Sequence, residues 1–365
     1  MKRHFKSLLP CLFGFILIAG SCNKESEFYS MEDFHLIEKI DTHTHINTNS
    51  PLVIEQGLTD NMRVVTINTD AWDGQSISDQ QVIALELKNR FPDRFEYATT
   101  FSMEGWEDAE TWVENTIAYL EKSFANGAIG VKVWKSIGMT YKDENDNFIM
   151  IDHPQFDPVI SYIEEQGQPL LGHLGEPKNC WLPLDEMTTN NDREYFENNP
   201  QYHLYLHPEN PSYEEIIQAT NNRLDKHPNL DYVGIHLGSM EWSIEMMAEH
   251  LDRYPRMVLD MAHRIPHLQH HSQQDREKLR NFFIEYQDQL IYSTDLQHYS
   301  DSDPEEINDL THSTWIGDWE FFVTDHTMEV WQVDGSFQGL KLPREVVDKL
   351  YRKNARRWWF SGSEL

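Results

Sequence analysis

Two histidines separated by one residue follow an apolar stretch near the start of the chain, in the run Asp41-Thr42-His43-Thr44-His45. In an extended strand, residues i and i+2 point to the same side, so both imidazoles can enter one site. The spacing alone is a weak signal, because two polar residues at a strand end would look the same. The pair gains meaning only if other metal-binding side chains lie near it.

Three later apolar segments also end in a histidine or an aspartate. They are Pro169-Leu-Leu-Gly-His173, Val233-Gly-Ile-His236 and Tyr292-Ser-Thr-Asp295. An isolated histidine at a strand end is more often structural. Four such ends in the same register indicate one shared site, provided that the fold brings the strand ends together.

Short β-branched runs alternate with longer amphipathic stretches along the chain, a pattern typical of βα units. The eight predicted strands are Leu36 to Asp41, Arg63 to Asn68, Phe95 to Phe101, Gly130 to Trp134, Pro169 to His173, Tyr232 to His236, Met257 to Met261 and Leu290 to Thr294. The predicted helices include Ser78 to Arg90, Asp108 to Asn126, Gln155 to Gln166, Tyr213 to His227, Met240 to Tyr254 and Gln273 to Gln287. We predict an α/β fold, a single-domain (β/α)8 TIM barrel, although the pattern alone also fits a doubly wound sheet. A barrel would gather all four strand ends on one rim.

Three segments do not follow this alternation. Residues 176–211, after strand five, lack clear periodicity and predict a long insertion, which is commonly functional. The histidine-rich stretch 263–271 contains a proline, and we interpret it mainly as a polar loop from which one residue could reach the site. The aromatic residues 358–360 near the end are expected to plug barrel grooves rather than bind a ligand.

The composition argues against one class of partner. The chain has 365 residues with 61 acidic and 30 basic side chains, a formal charge of −31. Nucleic-acid binding needs a basic footprint, and no run of lysine or arginine supplies one. The acidic residues are spread along the chain, so we interpret them as a solvated surface.

The first residues predict export. Lys2, Arg3 and Lys6 precede an apolar run from Leu8 to Gly20, which is too short to span a bilayer and has the layout of a secretory signal. Residues 17–22, Leu-Ile-Ala-Gly-Ser-Cys, resemble a bacterial lipobox in which Cys22 would carry the lipid. An ordinary cleaved signal with an incidental cysteine is the alternative.

The expected organisation follows from that signal. We expect a signal peptide at 1–21, a flexible tether at 22–31 and the barrel at 32–365, anchored to the bacterial cell envelope through the lipid. The membrane contact would be this anchor only. Cys180 would then have no disulfide partner, so the domain must be held together by core packing.

Several motifs together resemble the amidohydrolase superfamily, in the amidohydrolase-2 group that includes aminocarboxymuconate-semialdehyde decarboxylase. The resemblance spans nearly the whole mature domain, and the order and spacing of its motifs make it specific. The matching pieces are Asp-Thr-His-Thr-His at 41–45, Gly-Val-Lys at 130–132, Gly-His-Leu-Gly-Glu-Pro at 172–177, His-Leu-Gly at 236–238, Leu-Asp at 259–260, Ser-Thr-Asp at 293–295 and Asn-Ala-Arg-Arg-Trp at 354–358.

This resemblance implies a ligand set for one divalent metal: His43, His45, His173 and Asp295. It places His236 beside the metal as an acid/base or substrate-polarising group. Neutral imidazoles with one carboxylate and an open position for water independently suit catalytic zinc. Zinc is therefore the expected metal, with Mn2+ or Fe2+ as alternatives.

Other residues have open roles. In binuclear members of the superfamily a strand-four lysine bridges two metals, and Lys132 sits at about that place; substrate contact or a structural ion pair are the other interpretations. Glu176 could orient His173 or contact substrate, or could be a solvated loop carboxylate. Arg264 and His298 follow strands seven and eight and are candidate substrate-binding residues.

The leading functional prediction is hydrolysis of a C–N or C–O bond, in an amide, lactone or ester, within a small polar molecule. Asp295 would take the proton of the attacking water. A metal-dependent decarboxylase or other lyase is the alternative enzyme, and it would need an arginine such as Arg264 for the substrate carboxylate. A solute-binding lipoprotein without turnover is the alternative of another class, and it predicts a broken metal set. The oligomeric state is not predicted.

Overall fold

The computed structural model describes residues 26–71 and 74–359. Within these ranges the main sheet has nine parallel strands in the order β8-β7-β6-β5-β4-β3-β2-β1-β9. The strands are β1 (Lys39–Ile46), β2 (Met62–Ile67), β3 (Phe95–Thr100), β4 (Val131–Val133), β5 (Leu170–Gly172), β6 (Tyr232–Gly234), β7 (Met257–Asp260), β8 (Leu290–Ile291) and β9 (Leu296–His298). A small antiparallel hairpin adds β10 (Thr327–Met328) and β11 (Phe337–Gln338).

The two ends of the main sheet meet at one segment of chain. β8 pairs with β7, whereas β9, a few residues later, pairs with β1. Between them the N–H of Thr42 donates to the Tyr292 carbonyl at 3.3 Å, and the N–H of Asp295 donates to the His43 carbonyl at 2.8 Å. The parallel sheet therefore curls until its first and last strands are hydrogen-bonded, which is consistent with the TIM-barrel fold.

Helices connect the successive strands. They are α1 (Leu52–Asp60), α2 (Ile77–Arg90), α3 (Ala109–Ala125), α4 (Ser136–Met139), α5 (Asp157–Glu165), α6 (Asn190–Asn198), α7 (Tyr213–Lys226), α8 (Ile244–Arg253), α9 (Ile265–Glu285), α10 (Pro304–Val323), α11 (Arg344–Asp348) and α12 (Asn354–Trp359), with a π-helical turn at Lys349–Lys353 between the last two. Among these residues, no helix is long and apolar enough to cross a membrane.

The observed elements correct two expectations. β1 begins at Lys39 and continues to Ile46, so the histidine pair lies inside the strand rather than after it. α9 begins at Ile265, so most of the stretch 263–271 is helical and the polar-loop interpretation is wrong there. Pro266 lies in the first turn of α9, where a missing N–H costs no hydrogen bond. Residues 176–211, between β5 and α7, contain α6 and four short 3-10 turns.

A small apolar cluster fills the inside of the curled sheet. It contains Ile40, Val65, Ile67, Ala98, Leu171, Val233, Ile235, Val258 and Ile291, together with Ala355, Trp358 and Trp359 of α12. As expected, Trp358 and Trp359 pack against strand side chains; Phe360 lies outside the described residues. A much larger cluster packs the helices against the outside of the strands.

One glycine permits the closest contact between two strands. A Cβ on Gly172 of β5 would lie 2.0 Å from the Tyr232 hydroxyl oxygen of β6. Any larger residue would force β5 and β6 apart, immediately before His173. The Gly-His pair thus couples tight strand packing to the position of a candidate ligand.

Candidate metal centre

A local irregularity in β1 positions the histidine pair. The register of β1 against β2 shifts between Asp41 and Thr44, which is the mark of a β-bulge. The Nε2 atoms of His43 and His45 lie 3.2 Å apart. His43 is fully buried and His45 is partly exposed. Both imidazoles therefore enter one site, as their spacing predicts.

Asp295 approaches this pair from the segment between β8 and β9. Its Oδ1 atom lies 3.2 Å from His45 Nε2 and 3.5 Å from His43 Nε2. The residue has a left-handed backbone, with φ of 71°, a conformation that non-glycine residues adopt at a cost. Burial opposes ionisation of its carboxyl, but the imidazoles of His45 and His43 beside it hold the pKa of Asp295 well below its usual range.

The Nδ1 atoms of three site histidines each lie within hydrogen-bond distance of an acceptor oxygen. His43 Nδ1 lies 2.9 Å from Asp260 Oδ2, His45 Nδ1 lies 2.8 Å from the Ile67 carbonyl, and His236 Nδ1 lies 2.6 Å from the Ala262 carbonyl. A carbonyl or an ionised carboxylate can only accept, so Nδ1 carries the proton in each ring. Each neutral ring therefore presents an unprotonated Nε2, the form that a metal requires.

Burial keeps three of the site histidines neutral. It lowers the pKa of His43 to about 4, and the nearby Lys132 adds to this effect. Burial also lowers the pKa of His173 and of His236 well below the usual value. His43, His173 and His236 are thus unprotonated near neutral pH and need no proton release before binding a cation.

His173 and His236 complete the ring of imidazoles. Their ring centroids lie 4.2 Å apart, and those of His43 and His236 lie 5.2 Å apart. His236 begins a run of four residues with positive φ, 236–239, and its N–H donates to Asp260 Oδ1 at 2.6 Å. The Nε2 atom of His173 is buried without a hydrogen-bond partner among the described residues. An unpaired buried nitrogen beside the His236 imidazole fits a missing metal bond.

The donor atoms of His43, His45 and Asp295 all lie within 4.8 Å of one another, so they can hold one divalent metal ion. His43, His236 and Asp260 form a second group at the same spacing. Asp260, however, accepts hydrogen bonds from both of its neighbours and so supports their positions. The motif Leu-Asp at 259–260 predicts no role for Asp260 from the sequence, and only the structure gives its carboxylate this supporting position.

Two lysines lie beside the centre, of which Lys132 is buried. Lys132 Nζ is 3.3 Å from His43 Nε2, and burial lowers its pKa to about 8. Lys135 pairs with Glu176, which is buried. Glu176 is therefore not a solvated loop carboxylate, and that alternative is wrong.

The two remaining candidates lie away from an open surface. Arg264 is buried at the start of α9, and its Nη1 donates to the His263 carbonyl at 3.1 Å. His298 is buried on β9, where it pairs with Ile46 of β1. Neither of them is among the described residues that line the cleft beside Asp295.

That cleft has a volume of about 570 Å3. Asp295 and His263 line it, together with residues from the start of α9, from α10 and from the segment between β10 and β11, including Trp331. His263 is exposed to it and has φ of 55°, and its N–H donates to the Thr294 carbonyl. The sequence offered only one signal for this wall, the histidine-rich stretch.

The chain belongs to the amidohydrolase family, whose family model matches residues 109–360. This match begins after the histidine pair of β1 and includes His173, His236 and Asp295. No curated protein matches the chain.

Solved structures with similar folds include three bacterial proteins. 4-Oxalomesaconate hydratase from Rhodopseudomonas palustris is 14% identical with a TM-score of 0.48, over 88% of this chain and 95% of that chain. 5-Carboxyvanillate decarboxylase from Novosphingobium aromaticivorans, solved with manganese, is 11% identical with a TM-score of 0.49. The match covers 90% of this chain and 97% of that chain. A putative 2-pyrone-4,6-dicarboxylic acid hydrolase from Pseudomonas putida is 12% identical with a TM-score of 0.45. The match covers 90% of this chain and 99% of that chain.

Proposed function

We propose that this chain is a metal-dependent hydrolase that cleaves a C–N or C–O bond, in an amide, lactone or ester, of a small polar molecule. The observation that carries the proposal is the convergence of His43, His45 and Asp295 within 4.8 Å. We take the curled sheet as a complete (β/α)8 barrel, with 32–365 as one domain and 176–211 as an insertion.

The proposed ligands are His43, His45, His173 and Asp295. Three imidazole nitrogens and one carboxylate suit zinc, with manganese or iron as alternatives. When bound, such a metal polarises a carbonyl group and activates a water molecule. Lys132 stays a candidate bridge for a second metal or a substrate contact.

Two side chains handle the proton in this proposal. Asp295 is ionised and accepts the proton of the attacking water, then passes it to the leaving group. His236 directs Nδ1–H to the Ala262 carbonyl, so its Nε2 lone pair orients the water as an acceptor. Polarising a carbonyl would instead require protonated His236, which its burial and the nearby Arg264 oppose.

The site favours this function over the two alternatives. A decarboxylase would place a substrate carboxylate against an arginine, but Arg264 is buried and does not line the cleft among the described residues. A binding protein that had lost turnover would have lost donors, whereas His43, His45 and Asp295 stand together.

Elemental analysis of the purified protein tests the metal centre. We expect one zinc per chain in the parent and none in a His43→Ala/His45→Ala variant. Two metals per chain would make Lys132 a bridging ligand, and no metal after reconstitution would overturn the proposal.

A panel of neutral amides, lactones and esters, assayed with and without chelator, then tests hydrolysis. Asp295→Asn should abolish turnover.

We also propose export and lipidation at Cys22, with the domain anchored to the bacterial envelope and no nucleic-acid partner. Residues 1–25 lie outside the described part of the chain, so the support is the sequence pattern. In a bacterial host, labelled palmitate should enter the parent and a Cys180→Ser control, because Cys180 is buried. Label that persists in Cys22→Ser would refute the assignment.

A further inference from the structure

The cleft beside Asp295 has the size of a small-molecule site, since such sites measure roughly 300–1,000 Å3. Resting on the proposed hydrolase function, we propose that this cleft selects an uncharged substrate whose apolar ring lies against Trp331 while its scissile bond meets Asp295. Pockets of this kind are mainly apolar with a few oriented polar groups.

The cleft wall carries no positive side chain that could pair with an anion. No lysine or arginine lines it among the residues that the structure describes. Its polar lining consists largely of neutral amides and hydroxyls, and its carboxyl groups belong to Asp295 and Asp318. A substrate carboxylate would lose part of its hydration beside two acids and gain no cationic side chain on the described wall, which is unfavourable.

The nearby cationic side chains do not line the cleft among the described residues. Arg264 directs Nη1 to the His263 carbonyl, its Nε is buried without a hydrogen-bond partner among those residues, and its charge lowers the pKa of the buried Asp192 carboxyl. Lys135 pairs with Glu176. Lys132 lies against His43 and does not line the cleft. An anion in the cleft would therefore meet neutral donors but no cationic side chain on the described wall.

Trp331 supplies the apolar contact. Its side chain is 61% exposed, although a tryptophan gains most when it is buried. Met328, Val330 and Leu310 line the same cleft. An exposed indole beside these aliphatic groups offers a flat face that a ring in the substrate can cover.

The backbone around Trp331 is held in place before any ligand binds. Asn190, at the start of α6, donates its side-chain amide to the Trp331 carbonyl and to Asp334, each at 2.8 Å. The N–H of Asn190 donates to the Gln332 carbonyl at 2.8 Å. On the other side Gln273 of α9 donates to the Asp334 carbonyl. Such preorganisation reduces the ordering cost of binding.

An isosteric probe pair tests the selectivity: 2-naphthamide, which is neutral, and 2-naphthoate, which is charged. Titration calorimetry on the full-length protein, with and without metal, should show naphthamide binding about tenfold or more tightly than naphthoate. Trp331→Ala should weaken naphthamide binding about fivefold, whereas Trp331→Phe should retain most of it. Trp242→Ala is the control, because Trp242 is also exposed but lies away from the cleft.

A charge placed on the wall provides the reverse test. Gln297 is exposed and lines the cleft, so Gln297→Arg should raise naphthoate affinity and leave naphthamide affinity little changed. Three outcomes would overturn the inference. The parent could bind naphthoate as tightly as naphthamide or more tightly, Trp331→Ala could bind naphthamide as tightly as the parent, or neither probe could bind. These readouts need no turnover, so a failure of hydrolysis alone leaves them interpretable.

Discussion

Single acceptor atoms determine how the site histidines can react. Asp260 is the clearest case, because one oxygen receives His43 Nδ1–H and the other receives the backbone N–H of His236. The same carboxylate thus sets the tautomer of one ring and the backbone position of another. Residues in this outer position influence metal binding without touching the metal.

Replacement of Asp260 should therefore weaken metal binding. An asparagine in Asp260→Asn offers one acceptor oxygen where the site needs two, and we expect the Kd for zinc to rise about 10- to 100-fold. Competition with a chromogenic chelator measures this. Asp231→Asn, which removes a surface pair with Arg256, is the control. Unchanged zinc affinity in Asp260→Asn would show that Asp260 does not support the metal.

Asp318 should make stability depend on pH. Burial raises its pKa to about 7, so the folded protein holds this proton more tightly than the unfolded chain. The unfolded chain releases the proton first as pH rises from about 4 to about 7, so stability falls across that window, by up to roughly 1.4 kcal/mol per pH unit. Asp318→Asn should flatten this slope in urea unfolding at pH 5, 6 and 7. Parallel slopes would contradict the assignment.

The bounds of the strands and helices could be predicted from the sequence to different degrees. Six strands agree with their predicted bounds within two residues at each end, because continuous apolar runs mark buried parallel strands. β8 begins at the predicted Leu290 but ends three residues earlier than predicted. β1 was misplaced because its most informative residues, 41–45, are polar yet buried. α6 escaped prediction because it is short and strongly polar, and the first turns of α9 because histidines and a proline hide the helix. The convergence of ligands was predictable, whereas the cleft, built from several elements, was not.

Close packing of β5 on β6 can be tested with two glycines. In Gly172→Ala the new Cβ would collide with the Tyr232 hydroxyl, so we expect a loss of about 1–3 kcal/mol in the free energy of unfolding. Gly317→Ala is the matched control, because Gly317 lies within α10 with open space around it. That variant should gain about 0.5–1 kcal/mol. Urea unfolding compares them, and equal stabilities would contradict tight packing at Gly172.

At the scale of the whole molecule, α12 closes the inside of the curled sheet on the side away from the metal centre. Trp358 and Trp359 pack there against side chains from most of the strands. Trp359→Ala would leave a cavity shared by many elements, so we expect unfolding to become easier by about 3–5 kcal/mol. Thermal unfolding of the zinc-loaded and chelated forms measures it. A change below 1 kcal/mol would show that α12 is dispensable.

The seam at which the sheet closes also carries Asp295. The Thr294 N–H bonds to the Asp41 side chain, 253 positions earlier in the chain. During synthesis, His43 and His45 therefore emerge long before the carboxylate that completes their site, and firm capture of a cation must wait for ring closure. A bound cation would link β1 to the segment that carries Asp295 and so stabilise the closed sheet. Chelation should speed hydrogen exchange first at residues 41–46 and 292–298, and uniform acceleration would rule this out.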